Sequence, residues 1–397
     1  MTRVYLDHSA TSPLRPEARA AMADAMSLAG NPSSVHREGR AARALVEEAR
    51  ETIARFCGGA AADTVFTSGA TEANALALKS AVSAAGAERI LVGASEHPSM
   101  LANAETTGVP VETVSLTNTG EVDLNRLASL LATGPRSALA LMAINNETGV
   151  CHPLREAADL VREANGILIV DAVQHAPSGP FSLEEWDADY VTLSAHKLGG
   201  PKGVGALVAA DNREVAPFIV GGGQEFRRRA GTENLIGIAG FAAAADAVAA
   251  VGSEERSRLE DLRRRLETAL SDRLPELVIV SEKARARAPH ISNLALGGAQ
   301  SEMLVMALDL EGIAVSAGAA CSSGKVAQSH VLAAMGLSDD VVQGAIRVSL
   351  GWSTVEADID RFIDAFSHLG ARLSAQQRPS GSVERTQAAG LVRADEE

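Results

Sequence analysis

The chain has 397 residues, 46% of them hydrophobic and 22% charged, enough to bury a substantial core and to form two domains in one polypeptide. That composition excludes a disordered or collagen-like protein. With 36 Lys and Arg against 50 Asp and Glu, the net charge of -14 repels nucleic acid and anionic membrane surfaces. Basic islands at 227–229, 263–265 and 283–287 have no stacking aromatics between them, so they read as solvated faces or local anion sites. Neither a nucleic-acid nor a membrane partner is expected.

The 3 cysteines, Cys57, Cys151 and Cys321, are widely spaced and form no C-x-x-C pair, which argues for a reducing compartment and against a metal knuckle. The N-terminus MTRVYLDHSATSPL lacks an apolar signal core, and the Ala-rich stretch 241–251 is interrupted by Asp246. The expectation is a soluble, cytoplasmic protein with no metal.

From about residue 15 to 210, helical periodicity alternates with short apolar runs, the pattern of a doubly wound, mostly parallel sheet. Over 35–56, Val35, Ala42, Leu45, Val46, Ala49, Ile53 and Phe56 fall on one helical face, and Gly58-Gly59 supplies the stop. Runs at 64–67, 90–92, 139–144, 167–170, 190–193 and 205–208 read as buried strands. Past residue 252 the spacing predicts a charged helix (254–274), strands at 277–280 and 291–296, and helices at 301–310 and 355–373. The last helix would bury Val355, Ile359, Phe362, Phe366 and Leu369, and the aperiodic tail 374–397 is expected to be disordered.

Chemistry-bearing residues cluster where strands end. Lys197 closes the run 190–193 and precedes a Gly-rich turn. Partial desolvation there could free its amine to form a Schiff base, or it is a surface lysine beside a turn. Asp171 follows the run 166–170 and could hold a pyridine nitrogen protonated, although a carboxylate at a strand end also serves as a helix cap. Ser68-Gly69-Ala70-Thr71 follows a strand and opens a helix near Glu72, a geometry for a phosphate or for an ordinary N-cap. His97 and Asn146 follow two further strands and reach the same sheet edge, as ring-binding groups or as structural loop residues. Cys321 sits in a loop of small residues, 316–324, where a thiol is accessible enough to be a nucleophile, or else it is a small buried hydrophobe. Arg347, in the strand-like run 346–350, could clamp a carboxylate or form a structural ion pair.

Taken in order, the motifs YLDHSAT (5–11), NPSSVHREGR (31–40), FTSGATEAN (66–74), SEHP (95–98), NNETG (145–149), DAVQ (171–174), SAHKLGGPKG (194–203), RAGTEN (229–234) and AGAACSSGKVAQSHVL (317–332) resemble the cysteine desulfurases of the class V pyridoxal-phosphate aminotransferases, NifS/IscS-like branch. The resemblance implies the aspartate aminotransferase-like fold type I. A large domain, 15–252, would carry a mostly parallel seven-stranded sheet, and a small α/β domain, 1–14 with 253–373, would carry the cysteine loop. It implies pyridoxal 5'-phosphate held by Lys197, with Asp171 on the pyridinium, Gln174 near the phenolic oxygen and His97 over the ring. Ala70, Thr71, Ser194 and His196 would hold the phosphate, joined by Thr232 from the partner of a homodimer. Asn146 and Arg347 would grip the carboxylate of L-cysteine, and Cys321 would take its sulfur as a persulfide. That sulfur would pass to an iron-sulfur scaffold or another acceptor protein.

Four positions depart from the family pattern: Ala317, Ala319 and Ala230 replace serines, and Arg227 stands where glycine is usual. A class V transaminase or a selenocysteine or cysteine sulfinate lyase needs only Lys197 and Asp171. A noncatalytic sulfur-assembly scaffold would need none of this set.

Overall fold

The computed structural model describes residues 3–211, 213–317 and 328–377, with side chains through 373. Cys321, Ala319 and the tail beyond 377 therefore lie outside the described residues.

Strand β1 (Val4–Tyr5) is followed by seven strands that form the main sheet: β2 (Thr64–Thr67), β3 (Arg89–Gly93), β4 (Val111–Val114), β5 (Ser137–Met142), β6 (Ile167–Asp171), β7 (Tyr190–Ser194) and β8 (Gly205–Ala209). Their spatial order is β2-β8-β7-β6-β5-β3-β4. Only β8 runs against its neighbours; the pairs from β7 across to β4 are parallel. Covered on both faces, the central strands are continuous apolar runs rather than alternating ones, and every residue of β5, β6, β7 and β8 is buried. The edge strand β4, half exposed and carrying Glu112 and Thr113, has no such run and gave no sequence signal.

Helix Arg37–Phe56 buries Ala42, Val46, Ala49, Ile53 and Phe56 as its periodicity requires. Val35 is a correction: the helix starts after His36, whose ring accepts from Gly39 N, and Val35 stands outside it, 88% exposed. Likewise Val355 precedes helix Glu356–Gln377 and is 55% exposed, while Ile359, Phe362 and Phe366 are fully buried. That helix also runs to Gln377, into the segment expected to be aperiodic.

Strands β9 (Leu277–Ile279), β10 (Ile291–Leu296), β11 (Ile313–Ala314), β12 (Ser316–Ala317) and β13 (Ala345–Ser349) follow. Four of them form an antiparallel sheet in the order β12-β13-β10-β9, and β11 pairs in parallel with β1. A core of Leu262, Leu266, Leu270, Leu294, Leu308, Ile346, Phe362 and Phe366 fills this second layer, joined by Val4 and Leu6. Helix Leu235–Arg273 runs from one core to the other. Its apolar half is long enough to cross a membrane, yet Phe241, Ala244, Ala245 and Val248 pack in the main-sheet core. Its charged half begins past Gly252, whose φ of +31° breaks the helical geometry.

Between the two layers lie two buried imidazoles, His8 and His290, and a half-buried one, His175. His8 and His175 are each lowered to about 4, and His290 to about 3, first by burial and then by neighbouring positive charge. They are neutral in the folded chain and titrate near 6.5 once unfolded. The unfolded state thus binds more protons as the pH falls, so stability present above about pH 6.5 is lost progressively toward about pH 4. In His290→Leu, which removes the deepest of the three, the fall in Tm between about pH 6.5 and about pH 4.5 should be shallower than in the parent chain. Parallel Tm-against-pH curves would show that these imidazoles do not set acid stability.

Candidate active site

The parallel strands deliver their C-terminal ends to one edge of the main sheet. Asp171 is the last residue of β6 and Ser194 the last of β7, and Ala195–Lys197 form a single 3-10 turn directly after it. Helix Ala70–Ser83 begins at Ala70, earlier than the periodicity indicated, so Ala70 and Thr71 lie in its first turn. Its N-cap residue, Gly69, supplies no side-chain cap and enters the turn at φ +153°. Gly205 permits the approach: a Cβ there would lie 2.7 Å from the Gly69 carbonyl carbon. Uncapped N–H groups at a helix start form an anion site of the kind a phosphate needs.

Asp171 is held by two donors, Val173 N at 3.0 Å and Asn74 Nδ2 at 3.1 Å. The Thr192 hydroxyl donates to Asn74 Oδ1 at 2.6 Å, and this orients the amide so that its NH2 faces Asp171 and the Ser99 hydroxyl, also at 3.1 Å. Ser99 in turn lies 2.8 Å from His97 Nδ1. One buried asparagine thus couples the carboxylate on β6 to the imidazole on the next loop. Beside Asp171, the fully buried Glu96 is pushed well above the usual carboxylate range by burial and then by Asp171, and it accepts from Met142 N at 2.5 Å.

Lys197 Nζ donates to Ser9 O at 2.6 Å and to Ala10 O at 2.9 Å, and Gln174 Nε2 shares the Ser9 carbonyl at 2.9 Å. His196 Nδ1 lies 3.2 Å from the Thr11 hydroxyl, and burial, followed by Lys197 and Lys202, lowers this imidazole to about 4. The 7–11 turn therefore gathers Lys197, Gln174 and His196. It also reaches the second sheet: Arg347 donates to Asp7 Oδ1 at 2.8 Å and to Asn146 O at 2.9 Å, with Nε buried and without a partner among the described residues. His97 is lowered by burial, opposed by Asp171 and reinforced by Lys197 and His330, which sets all four around one space.

Thr232 stands apart from these groups, lining a cavity of about 120 Å³ with Thr67, Ser68, Gly203 and Arg229. Its segment is anchored twice. Arg229 pairs with Glu72 at 2.9 Å, and the buried Glu225 takes a bidentate pair from Arg50 at 2.5 and 3.0 Å and accepts from Phe66 N. Between the anchors, Glu225, Phe226 and Arg227 are all left-handed, at φ +45°, +55° and +66°. The glycine usual at position 227 suits that backbone, whereas an arginine strains it.

Lys197, Asp171, Gln174, His97, Ser194, His196, Ala70, Thr71, Asn146 and Arg347 thus share one edge between the two sheets, with Cys321 outside the described residues. Sequence reasoning missed Asn74, Ser99, Thr192, Asp7 and the Arg50–Glu225 pair. The available signal was a polar residue on an apolar face: Asn74 sits between Ala73 and Ala75 on a buried stretch, and Arg50 lies on the face of Val46 and Ile53.

Residues 4–362 match the aminotransferase class-V family model, and the chain belongs to that family. Within it the chain stands among the cysteine desulfurases. It is 40% identical over 392 residues to the cysteine desulfurase of Cereibacter sphaeroides, covering 97% of this chain and 100% of that one. The solved structure of a NifS-like protein from Rickettsia africae aligns at a TM-score of 0.85 and 32% identity, over 92% of this chain and 99% of the other. A structure described as SspA in complex with cysteine aligns at 0.76 and 26% identity, over 89% and 100%. Membership in this class implies dependence on pyridoxal phosphate.

Two outcomes follow from the geometry. Asn74→Ala strips partners from Asp171 and Thr192 and should lower the unfolding free energy by about 2–3 kcal/mol in urea titration, whereas a loss under about 0.5 kcal/mol would mean the network is not coupled. Arg227→Gly should raise stability by about 1 kcal/mol by relieving the left-handed backbone; a decrease would show that the arginine side chain outweighs that strain.

Proposed function

We propose that this enzyme converts L-cysteine to L-alanine and passes the sulfur to Cys321 as a persulfide for delivery to an iron-sulfur scaffold or another acceptor protein. The observation that carries the reading is the meeting of Lys197, Asp171 and His97 at one sheet edge, opposite an arginine on the second sheet. The residues present fit pyridoxal phosphate: a helix start with free N–H groups for its phosphate, a buried carboxylate for its ring nitrogen, and a lysine on the turn that follows β7. When bound, the cofactor supplies an electron sink for the pair released at the substrate's α-carbon.

In this reading Lys197 holds the cofactor and later carries the α-proton, and Asp171, fixed by Asn74, keeps the ring nitrogen protonated. Ala70, Thr71, Ser194 and His196 hold the phosphate. Gln174 lies near the phenolic oxygen, its amide placed by Ser9. Arg347 and Asn146 orient the substrate carboxylate, with Asp7 fixing the guanidinium plane. The Cys321 thiolate attacks the substrate sulfur; the S–S bond forms as the C–S bond breaks, and the carbon that keeps the electron pair takes a proton to become the methyl group of alanine.

The two-domain division at residue 252, a homodimer in which Thr232 serves the partner's phosphate, and a cytoplasmic location belong to the same proposal. The separate core around the second sheet, the doubly anchored 224–232 segment and the undisulfided Cys57 and Cys151 support them in turn.

The test compares the purified protein with Cys321→Ala, following alanine and sulfide from L-cysteine with a thiol reductant while recording the cofactor absorbance. Both proteins should carry the chromophore, and the variant should lose alanine formation by at least about 100-fold. Full activity in Cys321→Ala would replace the persulfide reading with a lyase. No chromophore in either protein, with added pyridoxal phosphate, would remove Lys197 from its role.

A further inference from the structure

The turn that gathers the site is closed by a side chain of its own. His8 is buried, and its Nδ1 lies 2.9 Å from the hydroxyl of Ser12. Inside the loop closed by that contact, the Ser9 and Ala10 carbonyls hold the Lys197 amine. The N–H of Ser12 donates to the carbonyl of His196 at 2.8 Å, on the peptide bond that enters Lys197. One five-residue stretch thus grips the lysine by its amine and by its backbone.

The imidazole is in turn fixed by its surroundings. The N–H of His8 donates to Ser349 O at 3.2 Å, and the N–H of Ser9 to Ser349 Oγ at 2.9 Å, which pins this end of the loop to β13. Gly351 brings the second unit so near that a Cβ there would lie 1.9 Å from His8 Nδ1, an approach only glycine allows. Tyr5 makes a T-shaped contact with the ring, centroids 5.3 Å apart, and its hydroxyl reaches the carbonyls of Asp7 and Thr11 at 3.2 and 2.7 Å. Burial, then the cations Arg15 and Arg258, keep the ring neutral in the folded chain. Its contribution to the loop is therefore shape and a hydrogen bond rather than charge.

We propose that His8 is a positioning residue of this site: through its bond to Ser12 it closes the 8–12 loop around Lys197 and sets the place from which the lysine amine reaches the cofactor. The inference rests on the reading of Lys197 as the residue that holds pyridoxal phosphate. Arg347 is held separately, by Asp7 outside the closed loop and by Asn146 O, so the grip on the substrate carboxylate depends less on His8. The signature of the role is a fall in cofactor affinity and kcat with KM for L-cysteine nearly unchanged.

The test uses the full chain with added pyridoxal phosphate. Cofactor affinity is read by absorbance titration, kcat and KM from alanine formation at saturating cofactor, and Tm beside them. His8→Ala should bind the cofactor about 10-fold more weakly and lose about 10- to 30-fold in kcat, with KM within about twofold of the parent. His8→Asn, which places a neutral amide where Nδ1 stood, should bring cofactor affinity back to within about threefold. Ser12→Ala removes the other end of the bond and leaves the ring in place; it should weaken cofactor binding about fivefold, and it tests the proposal even where His8→Ala does not fold. A His8→Ala chain with a lower Tm but parental cofactor affinity and kcat would make the ring a packing residue only. Cofactor affinity in His8→Asn as poor as in His8→Ala, or in Ser12→Ala equal to the parent, would remove the Ser12 bond from its role and overturn the proposal. A parent chain that develops no chromophore with added pyridoxal phosphate would instead end the reading of Lys197, and this inference with it, an outcome distinct from any variant result.

Discussion

The amide of Asn74 is the fixed point on which the chemistry of this chain depends. The Asp171 carboxylate accepts from the NH2 group, which turns the amide oxygen toward the Thr192 hydroxyl and leaves the second N–H for Ser99. In a buried setting an unpaired amide costs about 1–3 kcal/mol, so these partners are strongly specified. Through them two helices and two strands are locked together, and Asp171 and His97 acquire a set relation.

A second constraint is the 7–11 turn, the stretch that joins the two sheets at the site. Its carbonyls hold the Lys197 amine and the Gln174 amide, and its Asp7 carboxylate holds Arg347 on β13. Groups that face the cofactor pocket and a group that faces the substrate carboxylate are thereby referred to one short segment of backbone. Small displacements of the second unit would shift Arg347 and His330 together relative to Lys197. This is why a reaction needing both a ring-holding lysine and a carboxylate-holding arginine can be run from elements so distant in the chain.

Much of this was legible in the sequence because parallel strands advertise themselves. Runs such as ILIV and YVTL are buried on both faces, and the first polar residue after each, Asp171 or Ser194, lands at the functional edge. What escaped reading did so for local reasons. Asn74 and Arg50 are polar residues on buried helical faces, and periodicity treats such residues as noise. Val35 and Val355 were counted into helices because hydrophobic spacing does not register where a cap begins the helix; in the structure they precede it and are exposed. Strand β4 has too few apolar residues to announce an edge strand. The left-handed run at Glu225, Phe226 and Arg227 was visible only as a glycine replaced by arginine, and its backbone angles give that departure a physical meaning.

The central claim is that sulfur leaves L-cysteine by way of this chain's own thiol. It is tested most directly by mass spectrometry of the holoenzyme after a single turnover with L-cysteine and no reductant, with the adduct located by peptide mapping. The account predicts one added sulfur atom on the peptide that contains Cys321, in proportion to the alanine formed, and none on the peptides of Cys57 or Cys151. Alanine formed in full yield with no sulfur on Cys321 would contradict it.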